Sequence, residues 1–308
     1  MRRREFIALV GGAATWLLVA LGQTIPKILR LGMVSQNPRT APHTAAFERR
    51  LRELGYIEGQ NIIVEFIDTQ GQADRIAAAM QEVVRRGVDV VLAGGPEAAL
   101  KSAIAATSTL PVVMVAIDYD PIGLGYVKSL ARPGGQVTGL YFQQTELVGK
   151  RLQLIKETLP DAKAGTVFWD RFSADQWNAT QKAAPALDLT LVGIDLGDQP
   201  YDYAKAIAQA PQRHRGCLLV MISPRFSRDR QLLAEFALTH RIPTMFALRE
   251  HVEAGGLTSY GANISSVYVR AAEFVDQIAK GARPGDLPIE QPTKFELVIS
   301  LKTAKTLV

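Results

Sequence analysis

Val88-Asp89-Val90-Val91-Leu92-Ala93-Gly94-Gly95-Pro96-Glu97-Ala98-Ala99-Leu100 decides how this chain is read. Val88 to Ala93 is an apolar, β-branched run, the composition of a strand buried on both faces. Gly94-Gly95 lets the backbone turn sharply and approach a neighbour closely. Pro96 suits the first turn of a helix, where a missing N–H is not felt. Strand, glycine turn and helix N-terminus together form a crevice at the strand's carboxyl end that favours a carboxylate, a phosphate or a hydroxyl. The same turn serves equally as a plain connection, since many α/β turns bind nothing.

The pattern extends in both directions. Strands are predicted over 28–35, 61–67, 111–117 and 136–141, helices over 44–54, 74–86 and 96–107, and a short helix over 125–130. It then restarts, with helices over 145–159, 174–184, 202–210 and 228–240 and strands over 164–169, 189–196, 216–222 and 243–248. A strand over 257–260, a long helix over 264–280, a Gly/Pro-rich crossover over 281–292 and a strand over 295–300 close the chain. Alternating strands and helices imply an α/β protein with parallel sheets covered on both faces. Two such runs imply two Rossmann-like lobes, the first spanning 27–141 plus 259–284 and the second 142–258 plus 285–308. A lobe that is left and re-entered is the signature of a hinged pair.

The 308 residues suit two lobes, and 47% hydrophobic with 21% charged residues is ordinary for a globular protein. The net charge of +5 is modest, and no Lys/Arg run with interleaved aromatics follows the N-terminal head, so no nucleic-acid partner is expected. Arg2-Arg3-Arg4-Glu5, the uncharged run from Phe6 to Leu21 and the small-residue site Ala20-Leu21-Gly22 have the layout of a secretory signal over 1–23. Arg3-Arg4-Glu5-Phe6-Ile7 also resembles the twin-arginine export motif, so a periplasmic destination is expected.

Catalytic signatures are absent. His43, His214, His240 and His251 show neither H-E-x-x-H spacing nor a neighbouring His, and Cys217 is the single cysteine, in a strand-like run. No metal site or disulfide is expected. There is no G-x-S-x-G elbow and no P-loop, and Lys128 stands where Gly123-Leu124-Gly125 would need its third glycine for a dinucleotide cofactor. A binding protein without cofactor is expected over a Rossmann-type enzyme on a small metabolite.

Leu51-Arg52-Glu53-Leu54-Gly55-Tyr56-Ile57-Glu58-Gly59-Gln60-Asn61-Ile62 resembles a stretch of a bacterial ABC-transporter substrate-binding family, a type I periplasmic binding protein group. Ser129 to Gly135, Thr138-Gly139-Leu140, Gly149-Lys150-Arg151-Leu152, Glu253 to Leu257, Ser259-Tyr260-Gly261 and Gln291 to Leu297 resemble it too. The resemblance covers nearly everything from Ile28 onward. It implies two lobes joined by three crossovers, a small solute clamped between them, delivery to a membrane permease, and a tryptophan-like or other amino-acid-like ligand. A monomer is expected. The chain departs from the pattern at Trp169-Asp170-Arg171, where relatives often carry Asn-Pro, and its carboxyl end is shorter than usual.

Ligands of open α/β sheets sit beyond the strands' carboxyl ends. The first lobe then offers Ser35, Gln36, Gly94, Gly95, Ala116 and Asp118, with Tyr141 near a crossover. The second offers Trp169, Asp170, Ser223 and Phe246, with Tyr260 near the return. Tyr141, Trp169, Phe246 and Tyr260 would stack on a flat group. Ser35, the Gly94-Gly95 amides and Ser223 would donate to a carboxylate, and Asp118 or Asp170 would pair with an ammonium. Glu250 is a weaker candidate. Each has a plainer alternative: the serines as helix caps and the aspartates as turn formers.

Overall fold

A computed structural model describes residues 28–197 and 200–307; the expected export signal lies outside the described residues. The first half alternates β1 (Leu29–Ser35), α1 (Pro42–Glu53), β2 (Ile62–Asp68), α2 (Ile76–Arg85), β3 (Val90–Gly95), α3 (Glu97–Ala106), β4 (Val112–Ile117) and β5 (Val137–Phe142). The second half runs α4 (Val148–Thr158), β6 (Ala164–Trp169), α5 (Ala174–Ala183), β7 (Thr190–Asp195), α6 (Tyr203–Gln209), β8 (Leu218–Val220), α7 (Pro224–Arg228), α8 (Arg230–Thr239), β9 (Thr244–Phe246) and α9 (Arg249–Glu253). β10 (Thr258–Ala262), α10 (Ile264–Ala279), β11 (Phe295–Ile299) and α11 (Leu301–Leu307) complete it.

These strands form two sheets, β2-β1-β3-β4-β5 and β11-β10-β9-β8-β6-β7. The first is parallel throughout. The second repeats the same winding from β7 to β10 and adds β11 antiparallel at its edge. Val90 to Ala93 are wholly buried, because helices cover both faces of their sheet. That is why the strand reads as an unbroken apolar run rather than an alternation. The second sheet is likewise packed on both faces, around Phe168 and Phe226 on one and Leu152 and Trp177 on the other.

Three details differ from the expectation. The 125–130 segment forms turns instead of a helix, with Gly125 at φ 75 breaking any regular run. The return to the first sheet falls after β10, because residues 258–262 are hydrogen-bonded within the second sheet. Asn263 Oδ1 then accepts from the Ser266 N–H at 2.9 Å and starts α10, which lies along α1 and β4. Finally, Glu290 still bonds the first sheet: Tyr141 N donates to its carbonyl at 2.9 Å, and its own N–H donates to the Gly139 carbonyl at 3.0 Å. The last crossover therefore follows residue 290.

Candidate functional site: a cleft between the sheets

The carboxyl ends of both sheets face one cavity with about 650 Å³ of empty space. Ser35, Gln36, Gly94, Gly95 and Asp118 line it from the first lobe and Ser223 from the second.

Each polar group is held by local chemistry. Ser35 Oγ accepts from the Asn37 N–H at 3.0 Å. Ser223 Oγ accepts from the Phe226 N–H at 3.2 Å and so caps α7 while facing the cleft. Pro96 is the residue just before α3, one position earlier than the first helical turn. Gly94 admits no side chain: a Cβ there would lie 2.3 Å from Tyr268 Oη. Gly95 has φ 109, a conformation glycine adopts without strain.

Asp118, at the end of β4, sits beside the first crossover, which Gln144 belongs to. Its φ of 61 turns the chain out of β4. The Gln144 N–H donates to Oδ1, and Gln176 Nε2 donates to Oδ2 at 2.7 Å. The same Gln176 amide donates to the Ile222 carbonyl at 2.9 Å and accepts from its N–H at 2.9 Å. One side chain of α5 thus ties the end of β4 to the loop after β8. Beneath it the buried Arg151 donates to Gln144 Oε1, and its Nε donates to the Tyr260 carbonyl at 2.8 Å. Burial pushes the Asp118 carboxyl up to about 6, against hydrogen bonding and the Arg151 charge that pull it down. Burial also brings Arg151 down to about 10, partly offset by Asp118.

A second tie spans the mouth. Arg228 Nη2 donates to the Gln36 carbonyl at 2.9 Å and to Asp68 Oδ1 at 2.6 Å.

Six of the expected site residues are not among the cleft's lining. Ala116 and Tyr141 belong to the first lobe's core. Trp169 stacks on Trp177 at 6.5 Å between centroids. Phe246 is buried against His251 at 4.6 Å, and Tyr260 tilts towards Phe295 at 6.5 Å. Asp170 is a loop organiser: Oδ1 accepts from the Phe172 N–H and Ser173 Oγ, both at 3.0 Å, and Oδ2 accepts from Tyr201 Oη at 3.0 Å. Its oxygens are taken.

The aromatic groups at the cleft are instead Phe172, His43 and Tyr268. Phe172 sits three residues past the end of β6. His43 comes from the first turn of α1 and Tyr268 from α10, and their rings lie 4.6 Å apart. Burial and the nearby Arg230 bring His43 down to about 4, so it is neutral near pH 7. Among the described residues no cluster of His, Cys, Asp and Glu is arranged to hold a metal ion.

Two α/β lobes with a cleft between their sheets define the architecture of type I periplasmic binding proteins. Residues 33–308 match the family model "ABC transporter substrate binding protein", and the chain belongs to that family. It is 23% identical over 285 residues to a tyrosine-binding protein of Clostridioides difficile, covering 91% of this chain and 81% of that one. The fold superposes on a conserved domain protein from Vibrio cholerae with a TM-score of 0.78 at 23% identity, covering 91% of this chain and 95% of the other. It also superposes on a Streptococcus pneumoniae ABC domain in complex with L-Trp, with a TM-score of 0.75 at 24% identity, covering 91% and 94%. Among the described residues no helix is long and apolar enough to cross a membrane.

Proposed function

We propose that this protein captures an aromatic amino acid, or a related aromatic carboxylate, outside the cytoplasm and passes it to the permease of an ABC importer. One observation carries the reading: the cavity is walled by both lobes, and Gln176–Asp118 and Arg228–Asp68 bonds join its two sides. A solute in that place touches both walls, so it favours the shut form over the open one. Phe172, Tyr268 and neutral His43 offer flat apolar surface. Ser35, Ser223 and the Gly94-Gly95 turn offer polar contacts to a carboxylate. The names of the C. difficile and S. pneumoniae relatives agree with an aromatic amino acid. The chain acts as a monomer in this reading and uses no cofactor.

The competing reading is an enzyme on a small metabolite. A carboxyl titrating near 6 in a cleft is what a general base needs. Both Asp118 oxygens are already engaged by Gln144 and Gln176, which favours a structural role instead.

The test is a thermal-shift screen of the processed chain against amino acids, sugars and small acids. Ligand at a hundredfold its dissociation constant stabilises by about 2.7 kcal/mol. That raises the melting point by several degrees. Stabilisation by L-tryptophan or L-tyrosine supports the reading; silence from both, or turnover of either, defeats it.

A further inference from the structure

The cleft continues past Leu248. A narrow side pocket shares His43, Ser227 and Ile264 with it and runs on to Arg230, Glu250 and His251. Glu250, on α9, is only 7% exposed. Ser265 Oγ donates to its Oε1 at 3.2 Å, while Oε2 is buried with no hydrogen-bond partner. His251 Nε2 faces the Phe226 carbonyl at 3.2 Å, which makes Nε2 the N–H donor. Its Nδ1 is buried as well, and the ring also faces the Leu248 backbone. Gln36 Oε1, in the main cleft, is like Glu250 Oε2 a buried acceptor without a partner.

Two buried acceptors, Glu250 Oε2 and Gln36 Oε1, call for donors that the protein does not supply. Arg230, the one Lys or Arg on the side pocket's wall, donates to the Ser227 carbonyl at 3.2 Å and makes no ion pair with Glu250. Burial brings His251, like His43, down to about 4, so neither ring adds positive charge near pH 7. Burial pushes Glu250 up from its ordinary value, and the neighbouring Arg249, which is paired with Glu253 and Glu296, offsets this only in part. The carboxylates of Asp118 and Asp170 have their oxygens occupied.

We propose that Glu250 Oε2 anchors a protonated amine of the solute, with the rest of the solute lying in the main cleft towards Phe172 and Tyr268. This rests on the solute-binding reading above and adds the requirement for an amine. A primary ammonium brings three N–H donors and the positive charge that Glu250 lacks.

Calorimetric titration of the processed full chain with three probes tests it: L-tyrosine, tyramine and 3-(4-hydroxyphenyl)propionate. Tyramine keeps the amine and loses the carboxylate; the propionate does the reverse. In Glu250→Gln, L-tyrosine and tyramine should each bind at least about tenfold more weakly, while the propionate stays within about twofold. Glu250→Asp keeps the charge and should retain the preference for amine-bearing probes. A uniform loss across the probes, no loss, or a propionate that outbinds L-tyrosine in the unaltered protein overturns the amine subsite and leaves the solute-binding reading standing. If none of the three binds the unaltered protein, the aromatic amino-acid reading and the subsite fall together.

Discussion

Arg228 Nη2 lies 2.6 Å from Asp68 Oδ1, and the two residues belong to different lobes. The same nitrogen donates to the Gln36 carbonyl, so one guanidinium closes the cleft's mouth on both a side chain and the backbone. Partly exposed ion pairs contribute little alone, about 0–1 kcal/mol, but a charged hydrogen bond to a carbonyl adds about 1.5 kcal/mol or more.

Arg228→Ala should therefore weaken solute binding roughly five- to thirtyfold, the equivalent of about 1–2 kcal/mol. Its melting point without ligand should move by only a few degrees, since no core contact is lost. Small-angle scattering of the ligand-free variant should show a more extended particle than the unaltered protein. An unchanged profile and affinity would show that the bond does not hold the shut form.

Asp118 makes stability depend on pH. Its carboxyl is raised from 3.8 to about 6 in the folded chain. Below pH 4 it is protonated in both states and costs nothing. Between pH 4 and 6 the unfolded chain gives up its proton first, so stability falls as pH rises. Above 6 the full difference applies, about 3 kcal/mol for a shift of two units. Urea unfolding of wild type and Asp118→Asn from about pH 4 to pH 7 isolates this, because other groups cancel in the difference. The wild-type advantage over the variant should shrink across that window. A constant difference would mean that the carboxyl titrates normally.

Gly94→Ala should destabilise by about 1–3 kcal/mol, because the new Cβ would lie 2.3 Å from Tyr268 Oη and 3.1 Å from its Cζ. Tyr268→Phe removes the nearer atom. In that background the same substitution should be less costly, and a double-mutant cycle by chemical denaturation reads the coupling. Additive effects would mean that the two residues do not meet.

Phe172→Ala should weaken an aromatic solute about tenfold, through lost stacking and burial, with little change in stability. Trp169→Ala should do the opposite. It removes the partner of Trp177, so it should destabilise by about 2–4 kcal/mol and leave the affinity of the remaining folded protein within a few-fold. Calorimetry and thermal melts of the two variants check both halves.

The contrast between Phe172 and Trp169 shows where the sequence was legible. Val88 to Ala93 signalled a doubly covered strand through composition alone, and the repeated alternation signalled two wound sheets. Strand ends located Ser35, Gln36, Gly94, Gly95, Asp118 and Ser223 at the cleft because glycine turns, caps and breakers punctuate the chain there. The aromatic set was not legible in this way. A residue at a strand's last position still points into one face of the sheet, as Trp169 and Phe246 do. Those that reach the cavity lie on the loops beyond, like Phe172, or arrive from distant helices, like Tyr268. Nothing in local pattern places α10 against α1 and β4. Glu250 passed as a minor candidate because an unpartnered oxygen is visible only once its neighbours are in place.

The late return of α10 also bears on how the molecule is made. Its Val267, Ala271, Phe274 and Val275 cover the sheet built from residues 29–142. Until nearly the whole polypeptide has left the ribosome, that face has only α1, through Phe47 and Leu51, to cover it. A product stopping before residue 264 would carry a finished second winding beside a sticky, half-clad first one. No single break can release the first lobe as a unit, and interrupted synthesis should yield aggregates in place of a smaller working receptor.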